Sequence, residues 1–212
     1  MYVDLSGKIK TKSIIGARYF VVFVCSYSGA KHVDFLASKN HFIYAYKRLI
    51  TLIGAHPTTL RSDQGTEFLN KELTAYLEAN HTNHIVCAKN EHHSIGAAEN
   101  SIGVLRTAAK TMMLAGNIPK KFWPFIISHA AYLNNITSRA RCDNSKTIFE
   151  VLFGRKADVR RIPPMGSFCA IYEDRRSLKD QSFGLTSKQG VFIGIGRYNK
   201  VLGYLITNGN NV

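Results

Sequence analysis

Residues 18–24 read Arg-Tyr-Phe-Val-Val-Phe-Val, an aromatic and β-branched run with no charge after its first residue. Alternating apolar and polar residues would mark a strand with one wet face, whereas an unbroken run marks a strand covered on both. Such a strand needs material above and below it, so a layered sheet with helices on its faces is expected. Tyr2-Val3-Asp4-Leu5, closed by Ser6-Gly7, predicts a short strand before it, and residues 32–36 predict a third after the turn at Ser28-Gly29.

Helical spacing follows. Phe42, Ala45, Tyr46, Leu49, Ile50 and Ile53 recur at that period, ended by Gly54 and Pro57. Residues 58–63 predict a fourth strand ending on Asp63, residues 69–78 a helix with Leu69, Leu73, Tyr76 and Leu77 on one face, and residues 84–88 a fifth strand. After a polar loop at 89–93, Ser94 is expected to cap a helix running to about Leu114 and stopped by Gly116-Asn117. Pro119 is expected to open the next, which bears Trp123, Ile126, Ile127, Ala130 and Leu133. Beyond Pro163-Pro164, short apolar runs between turn residues predict a small β unit. The expected class is therefore α/β, a mixed sheet flanked by helices over residues 1–160, with a small β-rich unit over 161–212.

Charge narrows the partner. Lys and Arg number 28 against 14 Asp and Glu, a balance of +14. Residues 1–100 hold 11 basic and 8 acidic residues, 101–161 hold 11 and 3, and 162–212 hold 6 and 3. A basic middle third suits a polyanion, nucleic acid being the commonest, although a merely soluble basic surface reads the same way. No apolar run approaches the roughly 20 residues of a membrane span, so no membrane partner is expected. The start, Met-Tyr-Val-Asp, lacks the basic and then apolar pattern of a secretory signal. Cys25, Cys87, Cys142 and Cys169 form no C-x-x-C pair and are expected as reduced thiols of an intracellular protein.

Three acids fall where strands or helices meet the rim of the expected sheet: Asp4 on the first strand, Asp63 ending the fourth, and Glu99 early in the helix after the fifth. Two like charges near 4 Å cost about 4 kcal/mol at an effective dielectric of 20. Such a trio needs protons or cations. Oxygen donors alone suit Mg²⁺ or Mn²⁺ better than Zn²⁺. Two such ions about 4 Å apart would activate an attacking oxygen and stabilise the leaving 3′ oxygen of a phosphodiester. On the helix, Ile95, Ala98, Ile102, Leu105, Ala109 and Met112 share one arc, with Glu99, Gly103, Arg106 and Lys110 along its flank. Gly103 costs roughly 1 kcal/mol relative to Ala, which a close backbone approach would justify. Taken alone, Glu99 reads equally well as a solvated helix rim. Between Asp63 and Glu99 stand 35 residues, and between Asp4 and Asp63 stand 58.

With that spacing the chain resembles the DD(35)E integrases of retroelements, within the ribonuclease H-like fold, and among them the copia/Ty class of long-terminal-repeat retrotransposons. Arg61-Ser62-Asp63-Gln64-Gly65-Thr66-Glu67-Phe68 is similar to that class's R-S-D-x-G-x-E-F segment, and Ile95-Gly96-Ala97-Ala98-Glu99-Asn100 to its N-G-x-A-E-R segment. Phe122-Trp123 through Tyr132-Leu133-Asn134 resembles its W-x-x-A-x-x-x-A-x-Y-x-x-N helix. Lys146-Thr147-Ile148-Phe149-Glu150 resembles K-T-P-x-E, and Lys188-Gln189-Gly190-Val191-Phe192-Ile193-Gly194 with Gly203-Tyr204 resembles the segment after the core. Each motif is weak alone; the ordered set is specific and covers nearly the whole chain. Departures are Asn100-Ser101 in place of basic residues, Ile95 at a polar position, and Tyr27-Ser28-Gly29 without the usual acid and arginine.

The resemblance implies metal-dependent trimming of 3′ ends of element DNA and their transfer to target DNA. It implies Asp4, Asp63 and Glu99 as catalytic residues and metal ligands, with Mg²⁺ or Mn²⁺, two ions in all. Glu67 is expected to be structural. Self-association, action in the nucleus and passage through cytoplasmic element particles are implied as well. The 161–212 unit would be the start of a C-terminal region.

Other candidates are weaker. His81, His84 and Cys87 have zinc-like spacing, but a strand would scatter them over both faces. Cys25 lacks an evident base. His92 and His93 precede Glu99 and are equally a DNA contact or a solvated loop. Trp123 with Phe122 and Phe125 reads as core rather than a base-stacking platform. Arg139, Arg141, Arg155, Lys156, Arg160 and Arg161 form the densest cation cluster; with Arg106 and Lys110 they are the candidate DNA contacts. Two rival readings stay open: a non-catalytic, element-derived DNA-binding protein, and an RNA/DNA-hybrid nuclease of the same fold.

Overall fold

A computed structural model describes residues 1–87, 92–172, 187–198 and 201–208. Its main sheet contains β1 (Tyr2–Leu5), β2 (Tyr19–Val24), β3 (Lys31–Leu36), β4 (Thr59–Ser62) and β5 (Asn83–Val86) in the order β3-β2-β1-β4-β5. β2 runs antiparallel to β1 and β3, while β1, β4 and β5 are parallel neighbours. The long apolar run is indeed a strand covered on both faces. Phe20, Val22 and Val24 enter one core with Ala98, Ile102, Leu105 and Ala109 of α3 (His92–Ala115) and Trp123, Ile126, Ile127 and Ala130 of α4 (Trp123–Thr137). Val21 and Phe23 enter the opposite core with Phe42, Tyr46 and Leu49 of α1 (Phe42–Ile53) and Leu73 and Leu77 of α2 (Lys71–Ala79). Burying one such side chain contributes on the order of 1.5–3 kcal/mol.

Several boundaries differ from expectation, each for a local reason. Leu69 is 51% exposed, because α2 starts later, where the Asn70 side chain accepts the Leu73 amide at 2.9 Å. Ser94 is not the cap of α3, which already begins at His92. Pro119 precedes a 3-10 turn, Lys120–Phe122, and α4 proper carries Pro124 in its first turn, where a missing amide hydrogen does no harm. Gly103 faces open space, with no atom within 4 Å of where its Cβ would stand, so no close approach explains it. Ala88 and the loop before His92 lie outside the described residues, as do the side chains of His92, His93, Ser94 and Ile95.

A short helix, α5 (Ile148–Phe153), follows α4 and is closed by a capping box between Thr147 and Glu150. Next come β6 (Phe168–Tyr172), β7 (Ser187–Tyr198) and β8 (Val201–Thr207), a separate antiparallel sheet in that order. Ile193 and Leu205 pack into the core shared by α3 and α4. At the seam the Ile195 amide donates to Nδ1 of buried His129 at 3.3 Å. Gly194 has φ 142, and a Cβ there would meet His129 Cβ at 3.0 Å and the Phe125 carbonyl oxygen at 3.2 Å. Only glycine accepts both that backbone and that crowding. No helix among the described residues is long and apolar enough to cross a membrane.

Candidate active site

Tyr2 on β1 pairs with Arg61 on β4, in parallel. Asp4 and Asp63 each lie two residues further on, so they stand at the same end of adjacent strands. Strand alternation then selects a face. Val3 and Leu5 belong to the α1 and α2 core, while Tyr2 packs in the α3 and α4 core. Asp4 therefore faces α3. Ala98, Ile102 and Leu105 anchor α3 on that face, and Glu99 projects from its exposed edge.

Electrostatics show that these acids share a neighbourhood. Asp4 is pushed up from the usual carboxylate range to about 6, chiefly by burial, against the Leu5 amide, and further by the charges of Asp63, Glu99 and Glu67. Asp4 Oδ1 accepts the Leu5 amide at 2.7 Å, and Asp63 Oδ1 accepts the Gly65 amide at 2.9 Å. The other oxygen of each aspartate accepts no hydrogen bond among the described residues. Glu67, only 6% exposed, adds a fourth carboxylate and is held by Lys39 Nζ at 2.8 Å. The sequence reading missed Lys39, whose only signal is a cation shortly after the third strand.

Two of the eight candidate DNA contacts bracket Asp4. Arg141 sits over the Tyr2 ring, 5.9 Å from its centroid, and Arg106 over the Phe20 ring at 6.0 Å. Tyr2 is two residues before Asp4 on the same face of β1. Phe20 lies opposite Ser6, two residues after it, as the Ser6 amide donates to the Phe20 carbonyl at 2.8 Å. Each interval is roughly 7 Å along the strand, so guanidinium groups flank the acid on both sides. The other cations are exposed. Arg139 donates to the Ser145 carbonyl and, with Lys156, lines an open cleft of about 300 Å³ that also holds Thr147 and Glu150. Arg155 lies over Phe149, Arg160 is paired with Asp158, and Lys110 and Arg161 are solvent-facing.

The chemistry of the donor set, all carboxylate oxygen with one oxygen of each aspartate uncommitted among the described residues, fits a hard divalent cation. As the side chains stand, no group of three His, Cys, Asp or Glu among the described residues is close enough to hold one ion. His81, His84 and Cys87 form no such group either, and His84 instead meets Ser62 Oγ at 2.9 Å. All four cysteines are free.

No protein-family model matches the chain. Solved structures match its fold. The catalytic core domain of the HTLV-2 integrase in complex with magnesium, in a trimeric form, aligns with a TM-score of 0.55 at 20% identity, over 71% of this chain and 93% of that one. The simian T-cell lymphotropic virus intasome in complex with the PP2A regulatory subunit B56 gamma aligns with a TM-score of 0.57 at 14% identity, over 97% and 74%. In sequence, the chain is 26% identical over 139 residues, 64% of its length, to the retrovirus-related Pol polyprotein from transposon TNT 1-94 of Nicotiana tabacum. It is 27% identical over 190 residues, 86% of its length, to that from transposon RE2 of Arabidopsis thaliana. The chain is thus similar in sequence to Pol polyproteins of retrovirus-related transposons and in fold to retroviral integrase cores. The chain spans 10–12% of the length of those polyproteins.

Proposed function

We propose that the chain is the catalytic core of a DNA-integration enzyme, a polynucleotidyl transferase with endonuclease activity that trims 3′ ends and joins them to target DNA. The observation that carries this reading is Asp4: half-buried, within the field of Asp63 and Glu99, and flanked on one sheet face by Arg106 and Arg141. Asp4, Asp63 and Glu99 would hold Mg²⁺ or Mn²⁺, two ions in all; the retroviral core solved with magnesium supports a divalent metal. When bound, the cations supply activation of the attacking oxygen and charge stabilisation at the leaving 3′ oxygen. The chain's own part is to present Asp4 as a carboxylate, to swing exposed Glu99 toward the two aspartates, and to seat the phosphodiester between the two guanidiniums. Lys110, Arg139, Arg155, Lys156, Arg160 and Arg161 would track the flanking backbone, making binding salt-sensitive.

Self-association and DNA-end binding are part of the proposal, supported by the trimeric and intasome forms of the fold neighbours. So are action in the nucleus, after cytoplasmic element particles, and a division into a core over 1–160 and the start of a C-terminal region over 161–212. A second reading, a non-catalytic DNA-binding protein, is favoured by one observation: the acids do not converge on an ion as they stand. An oligonucleotide 3′-nicking and strand-transfer assay with Mn²⁺ and Mg²⁺ tests both. Metal-dependent products that vanish in Glu99→Gln are expected. Tight, salt-sensitive DNA binding without products in either protein would select the second reading.

A further inference from the structure

Lys39 and Glu67 meet across 28 residues of sequence at the edge that carries the acids. β3 runs parallel to β1, since both are antiparallel to β2, so the chain leaving Leu36 emerges at the same rim of the sheet as Asp4 and Asp63. Lys39 follows almost at once. Its side chain is 45% exposed, whereas that of Glu67 is 5% exposed. Glu67 Oε1, the oxygen that Lys39 holds, lies 3.1 Å from where a Gly65 Cβ would stand; Glu67 Cδ lies at 2.9 Å and Asp63 Oδ1 at 3.0 Å. A side chain at position 65 would therefore collide with both carboxylates, so the two acids pack over the glycine, whose amide is the donor that fixes Asp63 Oδ1. The rest of the turn is tied down as well: the Phe68 amide donates to the Gly65 carbonyl at 2.9 Å, and Asn70 Nδ2 donates to the Glu67 carbonyl at 2.8 Å.

A carboxylate this buried stays in place only while paired. Without the lysine, Glu67 would have to take up a proton or turn out toward water, and either change loosens its packing over the Gly65 turn that fixes Asp63. We infer that Lys39 is a positioning residue: its ion pair with Glu67 clamps the turn at Gly65, and the clamp decides which oxygen Asp63 presents. The inference rests on Asp63 being a metal ligand, as proposed above, and adds a residue that does not itself touch metal or DNA.

The test compares wild type, Lys39→Met and Lys39→Arg in the whole chain. Amide exchange at Gly65 is read by NMR without metal, with Val22 of β2 as the global reference, and Mn²⁺ affinity is read by water-proton relaxation. Lys39→Met is expected to speed Gly65 exchange about tenfold while Val22 is unchanged, and to weaken Mn²⁺ binding about tenfold, the scale of lost outer support at metal sites. Lys39→Arg is expected to restore both to within about threefold of wild type, since it keeps the charge. Unchanged Gly65 exchange in Lys39→Met, or Gly65 and Val22 accelerating together, overturns the inference. A wild type that binds no Mn²⁺ while Gly65 still responds selectively would leave the clamp standing and overturn the metal reading instead.

Discussion

The seam between α4 and the small sheet and the edge that carries the acids each bury a titratable side chain, and burial moves the two in opposite directions. His129, 2% exposed, is pushed down to about 4 and stays neutral at physiological pH, its Nδ1 occupied by the Ile195 amide. Asp4 is pushed up to about 6, yet is charged at neutral pH beside Asp63, Glu99 and Glu67. One region buries its polar group in a form that burial tolerates. The other keeps a charge where burial and its neighbours both oppose it, and a cation would relieve both. Under the proposed function, the seam settles its electrostatics within the chain, and the acid rim leaves them to be settled by what binds.

Asp4→Asn should break this contrast most sharply. Nicking and strand-transfer products fall to background in the oligonucleotide assay, while the metal-free protein gains stability at pH 8. A shift from 3.8 to about 6 corresponds to at most ~3 kcal/mol, and partial solvent screening reduces this to ~2 kcal/mol by urea denaturation.

The pH dependence separates the two groups. Asp4 has a raised folded pKa, so its contribution is fully present below 3.8 and is lost as pH rises through about 6. His129 has a lowered folded pKa, so its contribution is present above 6.5 and is lost as pH falls through about 4. The slopes oppose each other over most of that window and nearly cancel in the wild type. Urea midpoints of Asp4→Asn should rise from pH 4 to 6.5. Those of His129→Gln, which keeps an acceptor for Ile195, should fall from pH 4 to 6. Matching slopes in the two variants would show that the contrast is not electrostatic.

Gly194→Ala should destabilise by ~2 kcal/mol, from the left-handed backbone and the His129 and Phe125 contacts, with strand-transfer affected only as far as folding is. Gly103→Ala should have the smallest effect. It adds about 0.5–1 kcal/mol to a helix that joins both regions, because nothing surrounds the glycine, and thermal denaturation would read it.

Much of the fold was legible because local patterns carried it. The run at residues 18–24 announced a doubly covered strand, and Ala98, Ile102, Leu105 and Ala109 announced the buried face of α3. Glu99 on the flank of that arc was legible in the same way. Less legible were features set by competition among local signals: Ser94 is a good cap, yet α3 starts before it, and Leu69 fits the helical period, yet Asn70 claims the helix start.

By itself, the sequence determined the strands and the four longer helices, though not α5, together with the three acids, their spacing and the basic middle third, because propensity, periodicity and charge are properties of neighbouring residues. Tertiary structure alone decided that Asp4 shares a field with Asp63 and Glu99, that Arg106 and Arg141 bracket it on aromatic seats, and that Lys39 finds Glu67. It also decided that Ile193 and His129 fasten the small sheet to α4. Those pairings depend on strand register, sheet order and side-chain reach across tens of residues, which no local pattern encodes.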